Sequence, residues 1–140
     1  MRRIFAFAAL SAMAVASVAS AETWTPYTTP TDNGLQWSYD ADYSYRDSAS
    51  GKVVVLQAIG KAGATPRVGP SAPGAADGVG SVVGVDCKAK TLITIGSYSP
   101  SKPLVLSDTW REATPKKADG ADNKALISAA CEGADKLPSK

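Results

Sequence analysis

The alternation of apolar and polar positions divides the chain into distinct segments. Ile4 to Val18 is an alanine-rich apolar stretch of 15 residues. Residues 22–34 carry two prolines and end in Asn33-Gly34, which predicts an irregular or edge-strand lead-in closed by a turn. Over residues 35–47, Trp37, Tyr39, Ala41, Tyr43 and Tyr45 share one parity, and Ser38, Asp40, Asp42, Ser44 and Arg46 share the other. That period of two predicts a strand with an aromatic face and a polar face. Residues 47–51 (DSASG) read as a turn. Residues 52–59 (KVVVLQAI) are apolar on both parities, as in a central strand buried on both sides. The 35–59 segment is therefore expected to form a hairpin.

Residues 60–84 hold seven glycines and three prolines, a composition that predicts a long loop. Strand character resumes over 81–86, turns at Lys88–Lys90 and returns over 91–98. Pro100 and Pro103 mark another turn, and residues 104–106 (LVL) suggest a short strand ahead of Trp110. The last element is a helix over roughly 121–132. Leu126 with Ala130, and Ile127 with Cys131, form i, i+4 pairs on its apolar side. Asp119 or Asp122 suits its N-terminus and Gly133 its end. Strands followed by one helix predict an α+β fold, with an antiparallel β-sheet packed against a C-terminal α-helix.

The first apolar stretch changes how the composition is read. Met1-Arg2-Arg3 precedes it and Ala19-Ser20-Ala21 follows, the arrangement of a secretory leader with a small-residue cleavage site. The alternative, a membrane anchor, needs roughly 20 apolar residues. Residues 1–21 are thus expected to be a signal peptide in the style of a bacterial Sec leader, and residues 22–140 a single exported, periplasmic domain. The whole chain carries a formal charge of +2, but residues 22–140 hold 13 Lys plus Arg against 13 Asp plus Glu. A neutral domain is a poor nucleic-acid binder, because phosphate recognition needs clustered positive charge. No later segment has transmembrane length.

Cys87 and Cys131 are the only cysteines. In an exported chain two cysteines most often form one disulfide. Two free thiols or a redox pair are the alternatives, although redox pairs favour C-x-x-C and the spacing here is 44. A bridge would pin the terminal helix to the end of the Val82–Asp86 strand.

The chain contains no histidine, which removes His-based triads, His general bases and His metal sites. Asp40 and Asp42, two apart on one predicted face, have the residue types of a glycosidase pair or a calcium site. Nothing nearby would raise a carboxyl pKa, so they read as a solvated polar face. Ser99 and Lys102 have the residue types of a Ser–Lys dyad but lie in a proline-rich turn. No phosphate-cradling glycine motif occurs, and no cofactor or metal is expected. The aromatic stripe has two readings. One is core packing, since residues 22–140 contain no Phe or Met. The other is a partner-binding patch, with Tyr43 and Tyr45 as the residues that would carry it.

The landmarks Trp24, Tyr39-Asp40, Arg46-Asp47, residues 51–56 (GKVVVL), Val85-Asp86-Cys87, Tyr98, Trp110 and Cys131 occur in an order that resembles the surface-adhesin protein E-like family of small exported bacterial proteins. The resemblance spans about residues 24–131. It implies an antiparallel sheet, a C-terminal helix and a disulfide between them, together with adhesion to envelope or host proteins. No lipid-attachment cysteine follows the leader. The functional expectation is a non-enzymatic envelope protein that binds or supports a partner. The alternative is a small periplasmic inhibitor of a hydrolase such as lysozyme, because residues 48–51 (SASG) loosely resemble an inhibitory loop.

Overall fold

The computed structural model describes residues 23–66 and 78–140. The expected leader and residues 67–77 of the expected 60–84 loop therefore lie outside the described residues. Among the described residues seven strands form one antiparallel sheet: β1 (Trp24–Pro26), β2 (Leu35–Asp40), β3 (Tyr45–Arg46), β4 (Val53–Lys61), β5 (Val79–Asp86), β6 (Thr91–Tyr98) and β7 (Lys116–Lys117). One helix, α1 (Gly120–Cys131), follows. The sheet order is β1-β2-β4-β5-β6-β7, with β3 paired to β4 beyond the end of β2. The expected α+β architecture is observed.

β4 is the central strand that its apolar run predicts. Val53 and Val55 point to one face, and Val54, Leu56 and Ala58 to the other. On the first face Val83 and Val85 of β5 join them, and Leu126, Ile127 and Ala130 of α1 close the layer. Burying each of the Val, Leu and Ile side chains contributes on the order of 2 kcal/mol. A helix of this length is marginal alone, so this contact and the covalent tether hold it. Gly133, with φ 68°, adopts the left-handed conformation that ends the helix. Asp119 occupies the N-cap position, but its side chain makes no capping bond. The Cys87–Cys131 disulfide joins the end of β5 to the last residue of α1, with Cα atoms 5.8 Å apart.

The opposite face is covered by chain segments, among them a single 3-10 turn at Trp110–Glu112, instead of an α-helix. Val54, Leu56, Val82, Ile93 and Ile95 lie beneath Tyr98 and Trp110. Three glycines allow this close cover. A Cβ on Gly84 would stand 2.9 Å from Cζ3 of Trp110, one on Gly80 would collide with Tyr98, and one on Gly96 with the Val105 carbonyl. Gly80 and Gly84 are thus strand residues, not loop residues as the composition of 60–84 suggested. β4 also runs on to Lys61, and β5 begins at Val79.

Two further expectations are corrected. Residues 104–106 are not a strand. They run extended over Gly96, where the Ser107 N–H donates to the Ile95 carbonyl at 2.8 Å. The short β7 at Lys116–Lys117, which no pattern signalled, pairs with Thr91 and Leu92 instead. Nor is 35–47 one strand with an aromatic and a solvated face. A turn at Ala41–Tyr43 interrupts it. The polar residues Ser38, Asp40 and Ser44 are buried, while Trp37, Tyr39, Tyr43 and Tyr45 are all half-buried. Asp40 tolerates burial because its carboxylate accepts N–H bonds from Thr23 at 3.2 Å, Asp42 at 3.0 Å and Tyr43 at 3.4 Å. Those bonds bend the chain, and the aromatic residues on either side of the bend serve opposite faces. Tyr39 packs on the helix side, and Tyr43 and Tyr45 on the other.

Candidate functional site

The turn at Ala41–Tyr43 brings Tyr43 and Tyr45 together, with ring centroids 6.3 Å apart and planes tilted by 49°. Both pack against the cluster beneath Trp110 and keep an exposed side. Burial, and then the neighbouring Tyr45, pushes the Tyr43 phenol above its ordinary pKa. The extended 104–106 segment supplies the other wall. Tyr43, Tyr45, Leu106, Trp110 and Arg111 line a groove of about 240 Å³. Leu106 is 46% exposed and Val105 next to it 70%. Such side chains are unremarkable singly, but Leu106 shares the groove with two tyrosines, and together they make an apolar patch of the kind found at interfaces.

Cations and one buried carboxylate brace the rim. Asp47 is 2% exposed and follows directly on β3. Arg111 grips it in a fork, with Nε donating to Oδ2 at 2.8 Å and the terminal nitrogen donating to Oδ1. The Ser50 N–H, at 3.0 Å, and the Ser50 hydroxyl also donate to Oδ2. The Arg111 bonds, opposed in part by burial and reinforced by Ser50, hold the Asp47 carboxyl well below the usual carboxylate range. The same guanidinium lies 4.8 Å from the Trp110 ring centroid. Residues 137–140 return to β3, where the Arg46 N–H donates to the Pro138 carbonyl at 2.8 Å and the Lys140 N–H to the Arg46 carbonyl at 3.0 Å. This places the Lys140 ammonium 4.9 Å from the Tyr45 ring centroid.

The other residues singled out from the sequence fall elsewhere. Asp40 and Asp42 do not form a pair on a solvated strand face. Asp40 ends β2 and is buried, whereas Asp42 is exposed in the turn and accepts the Thr23 hydroxyl at 2.6 Å. Ser99 and Lys102 close a tight turn through two backbone bonds, and the lysine amine reaches Ser97, at 3.4 Å. Cys87 and Cys131 are joined and hold no thiol for chemistry. Leu106, Trp110 and Arg111 line the groove and Asp47 holds Arg111, yet sequence patterns did not assign them to a site. The available signal was Gly96, whose missing side chain admits the 104–106 segment against β6. No family model matches the chain, and no curated protein or solved structure matches it.

Proposed function

We propose that the chain is a non-enzymatic exported protein of the bacterial envelope, periplasmic, that binds a partner protein through the Tyr43–Tyr45–Leu106 face. The observation that carries this reading is Leu106 held in the open beside two half-buried tyrosines. Interfaces concentrate their energy in Tyr, Trp and Arg clusters of this composition. The disulfide is consistent with an oxidising compartment, and among the described residues no helix is long and apolar enough to cross a membrane. An adhesin-like role, with an envelope or host protein as the partner, rests only on the resemblance of the landmark residues to the surface-adhesin protein E-like family.

Crosslinking and pull-down from envelope extract tests it. Wild type should capture a defined protein that Leu106→Asp does not capture, while the melting temperatures of the two agree. Equal capture by both would show that this face is not the binding surface.

One observation favours a second reading, inhibition of a hydrolase such as lysozyme. The Ser48–Gly51 turn is braced at both ends. Asp47 takes two bonds from Ser50, and the Ser48 N–H and hydroxyl both donate to the Lys140 carbonyl at 2.8 Å. A loop held in one shape costs less to bind. Lysozyme rates unchanged in a large excess of the purified protein would eliminate this reading.

A further inference from the structure

The face of the sheet that carries α1 is only partly covered by it. The helix closes over Val53, Val55, Val83 and Val85. Beyond its first turn the next cross-strand row is polar: Tyr39 lies opposite Gln57, Gln57 opposite Ser81, and Ser81 opposite Ser97. The row after that sets Trp37 opposite Ile59, and Ile59 opposite Val79. Among the described residues two hollows open here, of about 460 and 440 Å³, with Gln57, Asp119 and Asn123 as their common wall. Each is of the size that small-ligand sites occupy, about 300–1,000 Å³.

The chemistry of the walls is specific. The Gln57 carbonyl accepts the Tyr27 hydroxyl at 2.6 Å, and its amide donates to Ser81 Oγ at 3.0 Å. These bonds orient the amide across the sheet and leave the second amide hydrogen and the Ser81 hydroxyl hydrogen to donate. Asn123, one helical turn inside α1, faces the same space from above. Trp37 lines the second hollow, is half-buried and belongs to neither buried cluster. Charge does not select an ion. Lys116 and Lys117 line one hollow, and Asp119 and Asp122 oppose them from the helix start.

An indole with a free side, two carboxamides and a hydroxyl in a cleft of balanced charge suit a neutral ligand with apolar ring faces and amide and hydroxyl edges. We infer that this cleft binds an oligosaccharide bearing N-acetyl groups. A sugar ring stacks on Trp37, and its acetamido group exchanges hydrogen bonds with Gln57 and Asn123. The site lies on the opposite side of the sheet from Tyr43 and Tyr45, so it stands or falls apart from the protein-binding reading.

Chitotetraose is the probe, titrated into the full domain and followed by calorimetry and tryptophan emission. Saturable binding is expected, weakened about tenfold or more by Trp37→Ala and by Gln57→Ala, a loss of about 1.4 kcal/mol. Asn123 is half-buried and its amide donates to the Asp119 carbonyl at 2.9 Å, so Asn123→Ala is compared with wild type at a temperature where thermal melts show both folded, and weakened binding there separates contact from misfolding. No heat at about 10 mM chitotetraose, weaker than the weakest useful affinity, would overturn the proposal. So would equal binding of cellotetraose, which lacks the acetamido group, a preference for inorganic phosphate, or undiminished binding by folded Trp37→Ala protein.

Discussion

Replacing both Cys87 and Cys131 by alanine isolates the contribution of the tether. The bridge spans a sequence separation of 44. With a loop of about 45 residues, the chain-entropy relation gives roughly 13 cal/mol/K, or about 4 kcal/mol at room temperature. A domain of this size holds only about 5–15 kcal/mol in all, so the loss is a large share of it. At about 2.1 cal/mol/K per residue, the 119 residues of 22–140 unfold with an entropy of roughly 250 cal/mol/K. The melting temperature should therefore fall by about 16 °C. The contacts of Leu126, Ile127 and Ala130 with the sheet survive the substitution. Far-ultraviolet circular dichroism in the cold should therefore still show the helix. Thermal melts of the double variant, and of wild type with reductant, measure the effect and should agree. A fall of less than about 4 °C, corresponding to about 1 kcal/mol, would refute the reasoning. It would mean that the unfolded chain between the cysteines is already constrained without the bond.

Asp47 makes stability depend on pH. Its carboxyl is depressed from 3.8 by Arg111 and Ser50, so the ionised form is favoured in the folded state. The resulting stability is fully present above the unfolded value and is lost as pH falls from there toward the folded value. Urea denaturation should find Asp47→Asn less stable than wild type at neutral pH, with the gap narrowing below about pH 4; a gap independent of pH contradicts the assignment. Gly84→Ala pushes a methyl group to 2.9 Å from the Trp110 ring, so overpacking should cost about 1–3 kcal/mol and shift tryptophan emission to the red. Leu126 is 0% exposed, and Leu126→Ala should cost about 2–5 kcal/mol by denaturant titration, separating α1 from the sheet before any change at the Trp110 face. Leu106→Asp should stay within about 0.5 kcal/mol of wild type, since that side chain is exposed.

Residues 53–58 show how far local pattern reaches. A run of Val and Leu that is apolar on both parities has only one good place, the middle of a sheet covered on both sides, and β4 occupies it. The apolar strip of Leu126, Ile127 and Ala130 and the left-handed glycine after it marked the helix for similarly local reasons. The cysteine pair followed from there being two cysteines in a chain whose sequence reads as exported. These features depend on neighbours in the chain or on burial of a whole segment, so the sequence by itself determined them. The two faces of the aromatic segment were decided elsewhere. Alternation from Trp37 to Tyr45 assumes an unbroken strand, and the bonds from Thr23, Asp42 and Tyr43 to Asp40 break it. Gly80, Gly84 and Gly96 looked like loop or strand-weakening residues until Tyr98, Trp110 and the Val105 backbone came to rest on them. The groove beside Leu106 and the Gln57–Ser81 row depend on partners 24 to 64 residues apart in the chain. No local pattern encodes such contacts, because they exist only once the sheet register brings distant residues together.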